Sequence, residues 1–342
     1  MCYLMQKEDL LRRSDVDLLF SLYKYRALTV QQLAKRHNYS VSHMYKKMRR
    51  LYLEGFVLKE SIRGLTKGKG RQGDFYRLGS RGLRVLKEIG YDINREYEAS
   101  DLRVSEFRLP FLLITNDLAL EMESHGWGFM DSRLVKSNFN LNRSDNLHGA
   151  LIEPKSETYY PFYVFNKEIS PKTMGKIRSE IGTYNFSNLL LLTRSKESFM
   201  QMTSEFINSS DIVKYFTFKV MPFGYGKHYL LKYVNESNLY HFLKDKYGFD
   251  VAKINHNVSY ETGLERIVKH NGEEKYLVNL LDNDLKKIYQ IKSYRKENYE
   301  MDGRRVLVLT NMYSLHKELL KHVHHVDFLK IDSNALMNHP LP

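Results

Sequence analysis

The apolar residues of the first 55 positions recur three times with the spacing of a helix. Ser14 is placed to cap the first helix, and Thr29 is placed to cap a second over residues 30–37. Asn38 tolerates left-handed backbone angles and forms the turn before a third helix at about 41–54. Three short helices in this order predict a helix-turn-helix, in which the third helix enters the major groove of DNA.

Two strands and a glycine-rich segment follow the three helices. The strands are predicted at 56–62 and 74–78, and residues 64–73 between them are too rich in glycine to be regular structure. A closing helix at 81–89 completes the pattern. The series predicts a winged helix-turn-helix domain over residues 1–92, with the glycine-rich segment as the tip of the wing.

The positive charge of the chain is concentrated in the same region. Residues 1–95 contain 21 Lys and Arg against 9 Asp and Glu, a net charge of +12, whereas residues 96–342 have a net charge of +1. An excess of one sign at one end of an otherwise balanced chain indicates a polyanionic partner. The helix pattern and the charge are independent signals, and both predict binding to double-stranded DNA.

The predicted DNA contacts form three groups. The outer face of the third helix is expected to contact base edges in the major groove, and its polar residues are Ser42, His43, Lys46, Lys47, Arg49 and Arg50. The wing is expected to follow the sugar–phosphate backbone, through Arg63, Lys67, Lys69 and Arg71. Further phosphate contacts are expected from Thr29, Gln31 and Tyr45. The inward face of the third helix is predicted to be Val41, Met44, Met48 and Leu51.

The same region is compatible with other functions. A winged helix can also bind a protein, so a protein–protein adapter stays an alternative, and His43 can be an exposed residue without a role. Residues 68–73 match G-x-G-x-x-G, but they join two antiparallel strands instead of leading from a strand into a helix. This context excludes a dinucleotide fingerprint, and no cofactor is expected.

Composition excludes several classes of protein. The single cysteine, Cys2, rules out an intramolecular disulfide framework and a cysteine-rich zinc site. The longest apolar runs are far too short to span a bilayer. The N-terminus lacks the basic and apolar regions of a signal peptide. We therefore expect a cytoplasmic protein that does not contact membranes.

Beyond a polar connector at 91–104, the chain repeats a strand–helix–strand–helix–strand pattern. The spacing from Val164 to Ile177 in the first copy equals that from Val278 to Ile291 in the second, 13 residues. This predicts an internal duplication, with domains at 105–230 and 231–342. The predicted fold class is α+β: a winged helix followed by a duplicated α/β region.

This order of elements resembles the plasmid replication-relaxation protein family of Gram-positive bacteria and actinobacteria. Residues 74–82, Asp-Phe-Tyr-Arg-Leu-Gly-Ser-Arg-Gly, match the aromatic-x-Leu-x-x-x-Gly turn of that family. The resemblance covers about the first 90 residues and, in outline, residues 105–220. It implies a second domain related to the PD-(D/E)xK nuclease fold and a role in plasmid replication, plasmid maintenance or transcription control.

The carboxylates of this nuclease pattern are missing. Such a site needs an Asp on one strand and an acidic-x-Lys on the next, because Mg²⁺ takes oxygen ligands. The strand at 147–152 has Asp145 two residues upstream, but no carboxylate precedes Lys167 on the strand at 163–167, and the strand at 276–280 also lacks one. We expect no catalytic residues, no metal and no enzyme activity.

The region after residue 105 has two possible functions. Asp145, Lys167 and Glu168 are the residues that would form a Mg²⁺-dependent nuclease site if the catalytic groups had migrated. Without catalysis, the duplicated region is expected to form a homodimer or higher oligomer, or to bind a replication or transcription protein.

The C-terminal region contains residues that suggest ligands but have simpler explanations. Tyr225 and Tyr229, beside two glycines, are predicted to form a hairpin rather than a base-stacking surface. The C-terminal histidines are His316, His322, His324, His325 and His339. Of these, His322, His324 and His325 lack the spacing of a metal site and are predicted to lie in a solvated loop between a helix and a strand.

Overall fold

The computed structural model describes residues 11–62, 73–249, 253–254 and 263–340. Its contacts divide the chain into two units, residues 1–131 and residues 132–342. Both units mix helices with strands, so the α+β class is confirmed. Among the described residues, no helix has the length and apolar character that crossing a membrane requires.

The first unit contains the helices and strands predicted for the N-terminal region, and three further elements. In chain order they are α1 (Arg13–Tyr25), β1 (Leu28–Thr29), α2 (Val30–Arg36), α3 (Val41–Leu53), β2 (Val57–Ser61), β3 (Asp74–Leu78), α4 (Ser80–Ile89), α5 (Leu109–Ser124) and β4 (Gly128–Asp131). The first three strands form an antiparallel sheet in the order β1-β3-β2.

Local signals explain where α2 and α3 begin. The Thr29 hydroxyl accepts a hydrogen bond from the Gln32 amide at 3.2 Å, and the Gln32 side chain accepts one from the Thr29 amide at 2.9 Å. This capping box confirms Thr29 as the cap of α2. Asn38 takes a positive φ of 53° at the turn, as predicted, and the Ser40 hydroxyl then caps α3.

Two details of the helix prediction are wrong. Ser14 lies inside α1 and does not cap it, because the Asp15 carboxylate accepts the hydrogen bond from the Arg12 amide at 3.1 Å. Val41 is not part of the core: it is 42% exposed in the first turn of α3, on the same side as Tyr45.

Gly82 is required by the packing of α4. A Cβ atom at this position would lie 2.4 Å from the Phe56 carbonyl oxygen and 2.8 Å from a methyl group of Leu78. The glycine of the aromatic-x-Leu-x-x-x-Gly turn therefore lets the start of α4 approach the chain just before β2.

Helix α5 packs with the first unit. The Asn116 amide donates hydrogen bonds to the carbonyl oxygens of Tyr25 and Ala27, at 3.1 and 2.7 Å. The buried Gln32 amide donates to the Leu113 carbonyl at 2.8 Å. These contacts explain why the first unit extends to residue 131, whereas the boundaries predicted from the sequence begin a new domain at 105; those domain boundaries stay predictions.

The second unit contains two sheets with helices between parallel strands. Its first half comprises α6 (Ser132–Asn138), β5 (Gly149–Ile152), β6 (Tyr159–Phe165), α7 (Pro171–Thr183), β7 (Asn188–Thr193), α8 (Lys196–Ile207), α9 (Ser210–Val213) and β8 (Thr217–Pro222). Next come α10 (Phe223–Tyr233) and α11 (Glu236–Tyr247). The second half comprises β9 (Lys253–Ile254), β10 (Arg266–His270), β11 (Glu273–Asn279), α12 (Leu285–Ser293), α13 (Lys296–Asp302), β12 (Val306–Thr310), α14 (Tyr313–Leu319), β13 (Val326–Lys330) and α15 (Ser333–Asn338).

The two halves share one pattern of strand pairing. Strand β5 is antiparallel to β6, and β6, β7 and β8 are parallel neighbours in that order. Strand β10 is antiparallel to β11, and β11, β12 and β13 follow in parallel. The helix after the hairpin is capped at equivalent positions, by Ser170 before α7 and by Asp284 before α12.

A buried polar joint connects the two halves. The Lys219 ammonium on β8 lies 3.0 Å from the Asp282 carboxylate, and the Asp284 carboxylate accepts a hydrogen bond from the Phe218 amide at 3.0 Å. Burial alone would lower the pKa of Lys219, but the charges of Asp282 and Asp284 outweigh it and raise that pKa. The joint therefore keeps its lysine charged.

The structure corrects the predictions for the C-terminal aromatic residues and histidines. Tyr225 and Tyr229 do not form a hairpin; they stack on successive turns of α10 with their ring centroids 5.8 Å apart. His325 is not in a solvated position, since only 5% of it is exposed, and His316 is fully buried. His322 and His324 are exposed, as predicted.

Candidate nucleic-acid interface

The polar side chains of α3 divide into an inward and an outward set. Lys47 and Arg50 turn toward α1, where their charged groups lie 3.0 and 2.5 Å from the carboxylate of the fully buried Asp15. The Lys47 ammonium also donates to the Ser14 hydroxyl at 2.8 Å. Burial raises the pKa of Asp15, but the hydrogen bonds from Lys47 and Arg50 outweigh it, and the pKa is lowered.

The outward set faces solvent. Ser42, His43, Lys46 and Arg49 are all exposed on α3. Lys46 and Arg49 have no carboxylate partner within ion-pair distance among the residues that the structure describes. Of the six residues predicted to contact bases, these four therefore have side chains directed to solvent, whereas Lys47 and Arg50 are engaged with Asp15.

A groove of about 670 Å³ lies beside this outward face. Helix α3 forms one wall, and the β2–β3 hairpin forms the other through Lys59 and Tyr76. The α3 wall is lined by Val41, Ser42, Tyr45, Lys46, Arg49, Tyr52 and Leu53. The Lys59 ammonium is 2.9 Å from the Asp74 carboxylate, so its charge is partly compensated.

The groove contains aromatic residues that the predicted set omitted. Tyr52 is 44% exposed and Leu53 is 72% exposed, although both belong to a regular helix. Tyr52 follows Tyr45 by seven residues and Arg49 by three, which is the spacing of one helix face. Tyr52 could therefore have been predicted from the helix periodicity of the sequence. Lys59 and Tyr76 could not, because the pairing of β2 with β3 brings them to the groove.

The residues predicted to contact phosphates have different surroundings. Gln31 and Tyr45 are exposed, whereas the Thr29 hydroxyl is used in capping α2. The predicted wing cations, Arg63, Lys67, Lys69 and Arg71, lie outside the described residues.

Charged contacts with α5 hold α2 in place on another side of the first unit. The Glu123 carboxylate pairs with Lys24 and, at 3.0 Å, with Arg36. Burial raises the pKa of Glu123, and the hydrogen bond from Lys24 offsets only part of this increase. His37, after α2, contacts the Ser21 hydroxyl at 2.9 Å, and burial together with the charge of Arg36 lowers its pKa to about 4.

The residues of the alternative nuclease site lie in the second unit. Asp145 is buried and accepts a hydrogen bond from the Asn142 amide at 3.1 Å, while Lys167 and Glu168 are exposed after β6. The contacts described for Asp145 do not include Lys167 or Glu168. The nearby buried carboxylate is instead Glu180 on α7.

Glu180 is surrounded by hydrogen-bond donors. Its carboxylate accepts from the Asn146 amide at 3.0 Å and from the Tyr163 hydroxyl at 3.0 Å. Burial and the charge of Asp145 raise its pKa, partly offset by those two hydrogen bonds. The carboxylate has its hydrogen-bonding capacity satisfied by side chains and backbone of its own unit, which is typical of a structural cluster.

Comparison with known proteins identifies one part of the chain. No curated protein and no solved structure matches it. The model of the replication-relaxation family matches residues 19–143, a segment that runs from α1 through α6 and includes both the groove and α5. This match confirms, for residues 19–143, the resemblance to the replication-relaxation family that was found in the sequence.

Proposed function

We propose that this protein binds double-stranded DNA of a plasmid or related mobile element through its first unit. In this proposal the unit is a winged helix, α3 contacts base edges in the major groove, and the β2–β3 hairpin is the wing. The observation that carries the proposal is the outward face of α3, where Lys46 and Arg49 lie without carboxylate partners among the described residues, beside the groove.

Charge and family support the same function. The net charge of +12 over residues 1–95 supplies the attraction to phosphates that accounts for most non-specific affinity. The replication-relaxation match covers the groove and suggests a role in plasmid replication or mobility. Specific binding beside an origin or a promoter would then act in replication, plasmid maintenance or transcription control.

We further propose that the second unit is a duplicated, catalytically inactive nuclease-like scaffold. The shared strand pairing of its two halves supports the duplication. The hydrogen bonds of Asp145 and Glu180 within their own unit, with Lys167 and Glu168 exposed elsewhere, support the absence of catalysis. The scaffold joins a second copy of the chain or binds a replication or transcription protein.

Binding of the full-length protein to a random duplex at increasing salt tests the proposal. Contacts with about six phosphates give a slope of log K against log salt near −5. The double variant Lys46→Ala/Arg49→Ala should lower the affinity. The double variant Lys172→Ala/Lys296→Ala is the matched control, because it removes the same charge from exposed helix positions in the second unit.

Two outcomes would contradict the proposal. Absence of binding at low salt would favour the protein–protein adapter. An equal loss of affinity in the two double variants would show that total charge matters and that the α3 face does not.

A further inference from the structure

Three metal-ligating side chains meet where the end of the described chain packs on α11. His241 and Asp245 lie one turn apart on α11, and His339 directly follows α15. One ligand atom from each lies within 4.8 Å of the others. His241 Nε2 is 3.1 Å and His339 Nε2 is 3.8 Å from Asp245 Oδ2.

The Nε2 atom of His339 is buried. It is inaccessible to solvent and has no hydrogen-bond partner among the described residues. A buried polar atom in this state is destabilising unless something binds it. The atom lies beside His241 and Asp245, which supply the other two ligands of a small cation site.

The backbone around His339 is held in place. The Lys232 ammonium donates to the His339 carbonyl at 3.0 Å, and the Tyr233 hydroxyl donates to the Leu336 carbonyl at 2.5 Å. The imidazole packs edge-on against Phe242, with ring centroids 5.1 Å apart. These contacts fix the position of the ring before any ion arrives, so little ordering is needed on binding.

We propose that His241, Asp245 and His339 bind a divalent transition-metal ion, with Zn²⁺ as the best-matched ion. Two imidazoles and one carboxylate suit Zn²⁺, whereas Mg²⁺ and Ca²⁺ require oxygen ligands. With Zn–ligand bonds of about 2.0–2.2 Å, ligand atoms on a tetrahedral ion are roughly 3.4 Å apart. The pair formed by His241 and Asp245 is already near that distance, and small rotamer adjustments of these two exposed side chains bring them to His339.

The bound ion connects parts of the chain that are distant in sequence. Asp245 and His339 are 94 positions apart, and the second sheet of the unit lies between them in sequence. An ion that binds the folded arrangement but not the unfolded chain stabilises the fold in proportion to its occupancy. The site therefore fastens the segment after α15 to α11, and a water molecule completes the tetrahedron.

Zinc titration of the full-length protein, stripped with a chelator, tests the site. We expect about one Zn²⁺ per chain by calorimetry and a rise in Tm on adding zinc. Asp245→Asn and His339→Ala should each weaken zinc binding at least about tenfold and remove the rise in Tm. Cobalt substitution should give the absorption bands of tetrahedral Co²⁺.

The exposed His322 provides the control, since His322→Ala removes a histidine without touching the site. This variant should bind zinc as the natural protein does. Far-UV circular dichroism and Tm in chelator separate loss of a ligand from loss of the fold. The proposal is overturned if the stripped protein takes up no zinc, or if folded Asp245→Asn and His339→Ala proteins bind it with unchanged affinity.

Discussion

The ammonium of Lys47 lies 3.0 Å from the carboxylate of Asp15, which is fully buried on α1. Arg50 contacts the same carboxylate, so two turns of α3 are fastened to α1 by one acidic residue. This arrangement sets the rotation of α3 about its own axis. It directs Lys46 and Arg49 away from the core and toward solvent, on the face of α3 that is proposed to contact DNA.

Substitutions on the two sides of α3 should therefore have different effects. Lys47→Ala should lower the free energy of unfolding by about 1–3 kcal/mol, because it removes one of the two cations that pair with a buried carboxylate. Lys46→Ala should change stability by less than about 0.5 kcal/mol but weaken specific DNA binding by about 1–3 kcal/mol. Denaturant unfolding and fluorescence anisotropy measure the two quantities. If Lys47→Ala retains full stability and loses DNA affinity, Lys47 contacts DNA directly.

The sequence predicted the helices and strands more reliably than it predicted which side chains face outward. Apolar spacing and the capping signals of Thr29 and Asn38 located α2, α3 and their turn, because these are local effects. The partners of Lys47 and Arg50 were missed, because Asp15 lies more than 30 positions earlier in the chain. Sequence periodicity placed both lysines of the Lys46–Lys47 pair on one polar face, whereas the structure turns them in different directions.

In the second unit, too, contacts between residues distant in the sequence could not be predicted. The strands were predicted from apolar runs, and the proposed repeat from matched spacing. The burial of His316 was not, because it depends on Asn283 in a distant loop. The proximity of His339 to Asp245 likewise depends on the tertiary packing of α11.

The aromatic residues of the groove should contribute to DNA affinity. Tyr52→Ala should weaken binding by roughly 1 kcal/mol, in the range found for aromatic stacking against nucleic acid, with little change in stability. Tyr215, which is 72% exposed in the second unit, supplies the matched control. Anisotropy with the same duplex gives the comparison, and equal affinities for Tyr52→Ala and Tyr215→Ala would exclude the groove from the interface.

Gly82→Ala should destabilise the first unit. The new methyl group would lie 2.4 Å from the Phe56 carbonyl oxygen, a backbone atom that cannot move without displacing β2, so we expect a loss of 1–3 kcal/mol or more. Gly175, inside α7, has open space around its Cβ position, and Gly175→Ala should stabilise by up to about 1 kcal/mol. Thermal unfolding compares the two; an unchanged Tm for Gly82→Ala would show that α4 shifts easily.

The protein should not cleave DNA in Mg²⁺ or Mn²⁺. A hydrolytic site must hold its ion through positioned carboxylates, and Glu180 is engaged with Asn146 and Tyr163. Incubation with supercoiled plasmid and with single-stranded DNA, followed by electrophoresis, measures this. Cleavage that disappears in Asp145→Ala or Lys167→Ala would establish the nuclease alternative.

His316 should make the second unit sensitive to acid. Its imidazole is fully buried, with Nδ1 at 2.6 Å from the Thr310 hydroxyl and Nε2 at 3.1 Å from the Asn283 side-chain oxygen. The Asn283 oxygen accepts from Nε2–H, and the Thr310 hydroxyl donates to Nδ1, so the neutral ring satisfies both contacts. Burial lowers the pKa of His316 from 6.5 to about 4, against a smaller opposing effect of Asp282.

The sign of the effect follows from proton binding. Between pH 6.5 and about 4, His316 is protonated in the unfolded chain but stays neutral in the folded protein. Its contribution to the free energy of unfolding is therefore complete above pH 6.5 and is lost as the pH falls. The loss approaches about 3 kcal/mol near pH 4. His316→Gln removes the titrating group. The free energy of unfolding of this variant should therefore fall less steeply than that of the natural protein over this pH range. His37, whose pKa is also lowered to about 4, is present in both proteins and cancels in the comparison. Parallel curves of unfolding free energy against pH would show that His316 is protonated without cost in the folded protein.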